Sequence, residues 1–120
     1  MATLKKLTAT ALRLPQETVD VPELGDEAQI IIRQMSVGEM LDFEARCFDD
    51  KGQTALPFDE FMMTLLIQSM VDDEGQPIAS LDEKEALLAT LPGAVAMRLF
   101  KVASRLNGLS AGSQDNVKKA

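Results

Sequence analysis

Histidine, tryptophan and tyrosine are missing from this 120-residue chain, and cysteine occurs once, at position 47. Without histidine there is no Ser/His/Asp triad and no Cys/His nucleophile pair. A zinc site built from several histidine or cysteine ligands is excluded as well. One cysteine closes no intramolecular disulfide, so a reducing compartment is the simpler expectation and Cys47 reads as a small core residue. The seven glycines are scattered and match neither a dinucleotide-binding nor a P-loop spacing. No stretch approaches the roughly 18 continuous apolar residues of a membrane span. Lys5-Lys6 ahead of Leu7 to Leu12 has the beginnings of a signal peptide, but Arg13 cuts the apolar run short. These absences point to a cytosolic protein with no cofactor, no metal and no catalytic constellation.

What is present suits a single domain with a real core. Hydrophobic residues make up 46% and charged residues 26%, the balance of an ordinary globular chain. The only aromatics are five phenylalanines, so Leu, Ile, Val, Ala and seven methionines must build most of the interior. Net charge is -7 but unevenly laid out: residues 1–13 carry +3, residues 14–90 carry -14 and residues 91–120 carry +4. An acidic body repels phosphate backbones, which argues against nucleic-acid binding. The asymmetry has two readings, a solvated surface with screened ion pairs, or a basic end of one subunit meeting the acidic body of another.

The patterning predicts an α+β fold, predominantly helical, with a short N-terminal β-hairpin packed on about four α-helices. Residues 1–13 read as a loose arm, 14–109 as the domain and 110–120 as a disordered tail. Glu17 to Val21 alternates polar and apolar side chains, and Ala28 to Arg33 is rich in β-branched residues; a glycine-containing turn joins them. Ser36-Val37-Gly38-Glu39 fits a capping box and starts a helix with Val37, Met40, Leu41, Glu44 and Phe48 at helical spacing, widened by Phe43 and Cys47. Asp49-Asp50-Lys51-Gly52 ends it. Ser80-Leu81-Asp82-Glu83 is a second capping box, and after Pro92 a further helix aligns Val95, Leu99, Val102 and Leu106, with Asn107-Gly108 closing it.

The strongest amphipathic segment runs from Phe58 to Met70, with Pro57 at a suitable first helical position and Asp59-Glu60 near the positive helix end. Phe58, Phe61, Met62, Leu65, Leu66 and Met70 form one stripe, and Met63 and Ile67 extend it to a second face. Either this helix is buried on two sides, or Phe58, Met62, Met63, Ile67 and Met70 offer a methionine-rich surface to a partner helix. Arg98, Lys101 and Arg105 form a cationic stripe that is either solvated surface or a self-association contact. The acidic run Asp72-Asp73-Glu74-Gly75 lacks the ligand spacing of a calcium loop and reads as a plain turn.

Taken in order, these pieces resemble the tail assembly chaperones of long-tailed bacteriophages and related prophages. The resemblance spans about residues 18–109. It is carried by Val21 to Gly25, by Arg33-Gln34-Met35 followed by the Ser36 helix start, by the turn from Val71 to Pro77, and by Leu91-Pro92 and Arg105-Leu106-Asn107. It implies a non-enzymatic protein of the host cytoplasm, absent from the mature virion. Such a protein binds and solubilises the tape measure protein, promotes assembly of the tail tube protein, and often self-associates. It also implies a longer product made by programmed frameshifting, for which codons at Lys118-Lys119 could supply a slippery run. The alternative is a small acidic adaptor or inhibitor that occupies a basic protein surface.

Overall fold

The computed structural model describes residues 14–109; the arm assigned to residues 1–13 and the tail assigned to 110–120 lie outside them. The elements are β1 (Gln16–Asp20), β2 (Gln29–Arg33), α1 (Val37–Cys47), α2 (Phe58–Ser69), β3 (Met70–Val71), α3 (Lys84–Thr90) and α4 (Gly93–Leu106), with short 3-10 turns at Pro22–Leu24 and Leu81–Glu83. The fold is therefore α+β and mainly helical.

β1 and β2 pair antiparallel with Thr18 opposite Ile31, and β3 joins the other edge of β2 with Ile31 opposite Val71 and Ile32 opposite Met70. The third strand has only two residues, too few to show an alternation, and the sequence there reads as the end of a helix followed by a turn. Val19, Val21, Ile32 and Met70 are buried in the core. The opposite face of the sheet carries Thr18, Ile31 and Val71, and Ile78 lies close over it around a shallow depression of about 450 Å³.

The capping box at Ser36 forms in full, and at Ser80 its glutamate half forms: Glu83 Oε1 accepts from Ser80 N at 2.9 Å while Glu83 N–H donates to the Ser80 carbonyl at 3.0 Å. Ser36 Oγ accepts from Glu39 N while Glu39 Oε1 accepts from Ser36 N at 2.8 Å. At Ser80 the same sequence opens the 3-10 turn that leads into α3. Pro57 stands one residue outside α2, as its cap. The phase of α1 differs from the spacing of its apolar residues. Phe43 and Cys47 are fully buried, whereas Val37 and Leu41 are 78% and 60% exposed. The inward side is set by the neighbour, because Phe43 packs edge-to-face on Phe61 of α2 at 5.4 Å.

The turn after β3 has a twin. Asp49-Asp50-Lys51-Gly52-Gln53 and Asp72-Asp73-Glu74-Gly75-Gln76 share the pattern D-D-x-G-Q and close in the same way. In each, the first Asp N–H donates to the Gln carbonyl at 2.8 Å and the Gly N–H donates back to that Asp carbonyl at 3.0 Å. The Asp carboxylate accepts from the backbone N–H groups two and four residues on. Gly52 and Gly75 have φ of 77° and 80°, where a side chain is strained. Asp72 thus closes its own turn, in line with the plain-turn reading.

Candidate partner-binding surface

Helix α2 lies at the centre, flanked by α1, α3, α4 and β2. That position decides the fate of its apolar residues. Met63, Ile67 and Met70 are almost fully buried, which follows the reading in which the helix is covered on two sides and takes these three away from any surface. Each such side chain contributes about 1.5–3 kcal/mol by leaving water. Of the five candidates, Phe58 is 58% exposed and Met62 is half-buried. The exposed end of α2 is therefore the part of the stripe a partner can reach.

Phe58 is the outer member of a continuous aromatic chain. It meets Phe100 edge-on at 5.4 Å, Phe100 meets Phe61 at 6.4 Å, and Phe61 meets Phe43 and Phe48 at 5.4 and 5.9 Å. All five phenylalanines of the chain belong to this series, which runs from the core to the surface. A single edge-to-face contact, with Phe100, ties the Phe58 ring to this series while most of the residue stays exposed. The sequence shows the apolar spacing but not which end of it emerges.

The cationic stripe on α4 faces its own sheet. Arg98 makes a bidentate ion pair with Glu23 at 2.9 and 2.6 Å and donates to the Asp20 carbonyl at 3.2 Å. Arg105 pairs with Glu17 at 2.6 Å. The Arg98 guanidinium holds the Glu23 carboxyl down at about 2, against an ordinary value of 4.5. These arginines are engaged inside the subunit because α4 packs across β1. Lys101, exposed between them, joins no ion pair among the described residues.

Two polar residues organise the frame behind this surface. Arg33 donates to both oxygens of Glu39 and reaches the Gly75 carbonyl at 3.3 Å, tying the Asp72 turn to the start of α1. Asn107 is buried; its Oδ1 accepts from Met35 N at 2.8 Å and its Nδ2 donates to the Ala103 carbonyl at 2.8 Å. In the sequence Asn107-Gly108 reads as a helix end made of residues that tolerate the left-handed conformation. In the structure Gly108, at φ 72°, takes that conformation and Asn107 fastens α4 to the β2–α1 junction.

Cys47 is fully buried, and burial pushes its thiol up. Among the described residues no cluster of three or more acidic or sulfur ligands could hold a metal ion, and no helix is long and apolar enough to cross a membrane.

No family model matches this chain, and no curated protein matches it. Among solved structures it is similar to that of the bacteriophage HK97 tail assembly chaperone, with 27% sequence identity and a TM-score of 0.60. The alignment covers 85% of this chain and 95% of that chain.

Proposed function

We propose that this chain, which has the fold of a phage tail assembly chaperone, performs that role by binding the tape measure protein, keeping it soluble and promoting assembly of the tail tube around it. The likeness to the HK97 chaperone over nearly the whole of both chains is the observation that carries this reading. It is a binding role, not a catalytic one, and it takes place in the host cytoplasm before the virion is complete. The contact is apolar and reversible. Phe58 and Met62 at the exposed end of α2 form its centre, and the rigid aromatic chain behind Phe58 lowers the ordering entropy lost on binding. The chaperone acts as a homo-oligomer, in which Lys101 is the cation of the α4 stripe left for a neighbouring subunit. A longer frameshifted product accompanies it, and the codons for Lys118 and Lys119 test this directly: a sequence without an A-rich slippery run counts against it.

Co-expression of the full chain with a helical segment of the tape measure protein, followed by sizing, tests the central claim. A stable complex is expected, and Phe58→Ser/Met62→Ser should weaken it by about tenfold or more while leaving the fold intact, since neither side chain is fully buried. A folded double variant that binds as well as the parent removes the proposed contact. A parent that never captures the segment removes the function.

A further inference from the structure

Helix α1 turns an apolar line to water, apart from the side it packs on α2. Val37 and Leu41, one turn apart, are the two most exposed large hydrophobic side chains of the described residues. Exposed Ala45 continues the line and half-buried Phe48 closes it, roughly 16 Å from Val37 at about 1.5 Å per residue. The Phe48 ring is backed edge-to-face by Phe43 at 6.3 Å and Phe61 at 5.9 Å. With Ala45 and Gly52 it lines a shallow depression of about 670 Å³, which Glu44, Asp49 and Asp50 also line.

The charge around this line is mainly of one sign. Residues 37–52 hold five carboxylates, Glu39, Asp42, Glu44, Asp49 and Asp50, against the cations Arg46 and Lys51. Glu39 is held by Arg33, Arg46 is held by Asp42 at 2.9 Å, and Asp49 Oδ1 accepts from its own turn. Glu44 and Asp50 join no ion pair among the described residues. Both stand near the end of α1, where the last helix carbonyls add a partial negative charge. One occupant therefore has to supply apolar side chains for Val37 and Leu41 and a cation for the depression beside Phe48. The described elements of a second copy fall short of that. Laying α1 on α1 sets carboxylates against carboxylates, and α4 has Arg98 and Arg105 bound to Glu23 and Glu17, which leaves exposed Met97 and Lys101, one apolar residue and one cation.

We propose that this face of α1 binds a basic amphipathic helix of another protein. Two large aliphatic side chains of that helix, one turn apart, cover Val37 and Leu41, and a lysine or arginine about two turns further along enters the depression beside Phe48. The aliphatic stem of the cation lies on the Phe48 ring and its head meets Glu44 and Asp50. A helix fits because its own side chains recur at one and two turns, the spacing of Val37, Leu41 and Phe48. The contact is separate from the one assigned above to Phe58 and Met62, and it stands whether or not that role does.

Binding of a labelled synthetic helix by the full chain tests this. The probe is a peptide of about 20 residues with leucines along one face and lysines beside them. Its controls are a copy with glutamate for lysine and a scrambled copy with no apolar face. Fluorescence anisotropy should show the lysine peptide binding about tenfold or more tightly than either control, with amide chemical shifts moving along residues 37–52. Val37→Ser/Leu41→Ser should weaken binding by about tenfold or more. Glu44→Gln/Asp50→Asn should weaken it several-fold and make the remaining affinity less sensitive to salt. Phe58→Ser/Met62→Ser should leave it unchanged. None of these side chains is buried, so each variant should keep the circular dichroism of the parent. A lysine peptide that does not bind, controls that bind equally well, or a Val37→Ser/Leu41→Ser variant that binds like the parent would overturn the proposal. So would sedimentation in which that variant has a lower mass than the parent, because a second copy would then be the occupant of this face.

Discussion

Replacing Asn107 by alanine is the sharpest test of how the helical layer is fastened to the sheet. The side chain is buried at the end of α4 and gives the Met35 backbone N–H its acceptor at 2.8 Å, while Met35 itself is 4% exposed. Alanine leaves that N–H in the interior with no acceptor, a loss of about 1–3 kcal/mol, and the Ala103 carbonyl loses a donor in the same step. We expect a total of about 2 kcal/mol, which for a domain of this size lowers Tm by roughly 8–16 °C. Urea and thermal unfolding followed by circular dichroism measure it, because the chain has no tryptophan or tyrosine to report by fluorescence. Asn107→Asp separates the two bonds. Its carboxylate still accepts from Met35 but turns a bare oxygen toward the Ala103 carbonyl, and burial raises its pKa above the unfolded value. Its stability relative to the parent should therefore be greatest at low pH, where the protonated acid donates to Ala103, and fall as pH rises through the raised pKa. An alanine variant within 0.5 kcal/mol of the parent would refute this account of the junction, as would an aspartate variant whose deficit ignores pH.

Other outcomes follow from single features. The Glu23–Arg98 pair stabilises the fold above the ordinary carboxyl value of 4.5 and is lost as pH falls through about 2, so the small gap between parent and Glu23→Gln in urea midpoint should be constant near neutrality and close between these values. A gap that widens on acidification would contradict the pairing. Gly52→Ala and Gly75→Ala should each cost about 1 kcal/mol from positive φ alone, since no neighbour crowds either site, and the two should be alike because the turns are alike. Cys47 should react with a thiol reagent only as fast as the protein opens, so labelling should track denaturant; rapid labelling of the native protein would place the thiol elsewhere.

Much of the fold was legible along the chain, for reasons that can be named. The hairpin follows from alternation at Glu17 to Val21 and β-branched residues at Ala28 to Arg33. Ser36 and Ser80 announce helix starts because the capping box is a local hydrogen-bond pattern. The α4 stripe of Val95, Leu99 and Val102 is buried as its spacing implies. The candidate surface was less legible. Helical spacing puts Val37 with Met40 and Leu41, yet the inward side of α1 is fixed by Phe43 against Phe61, a contact between residues 18 positions apart. Met63 and Ile67 have the composition of a binding face, and neighbours on several sides of α2 make them core. The shared D-D-x-G-Q pattern is a local signal that was available in the sequence for both turns.

The sequence by itself determined the element types, the caps, the absence of histidine-based chemistry and the uneven charge, because each depends on residue identity or on neighbours within one or two turns of chain. Tertiary structure alone decided which apolar residues are core and which are surface, and that the arginines of α4 pair with Glu17 and Glu23 of their own subunit. It alone brought Asn107 to Met35 and Arg33 to Gly75 across 72 and 42 positions. The physical reason is that burial and ion pairing depend on what lies opposite a side chain, and what lies opposite is supplied by residues that a local pattern cannot see.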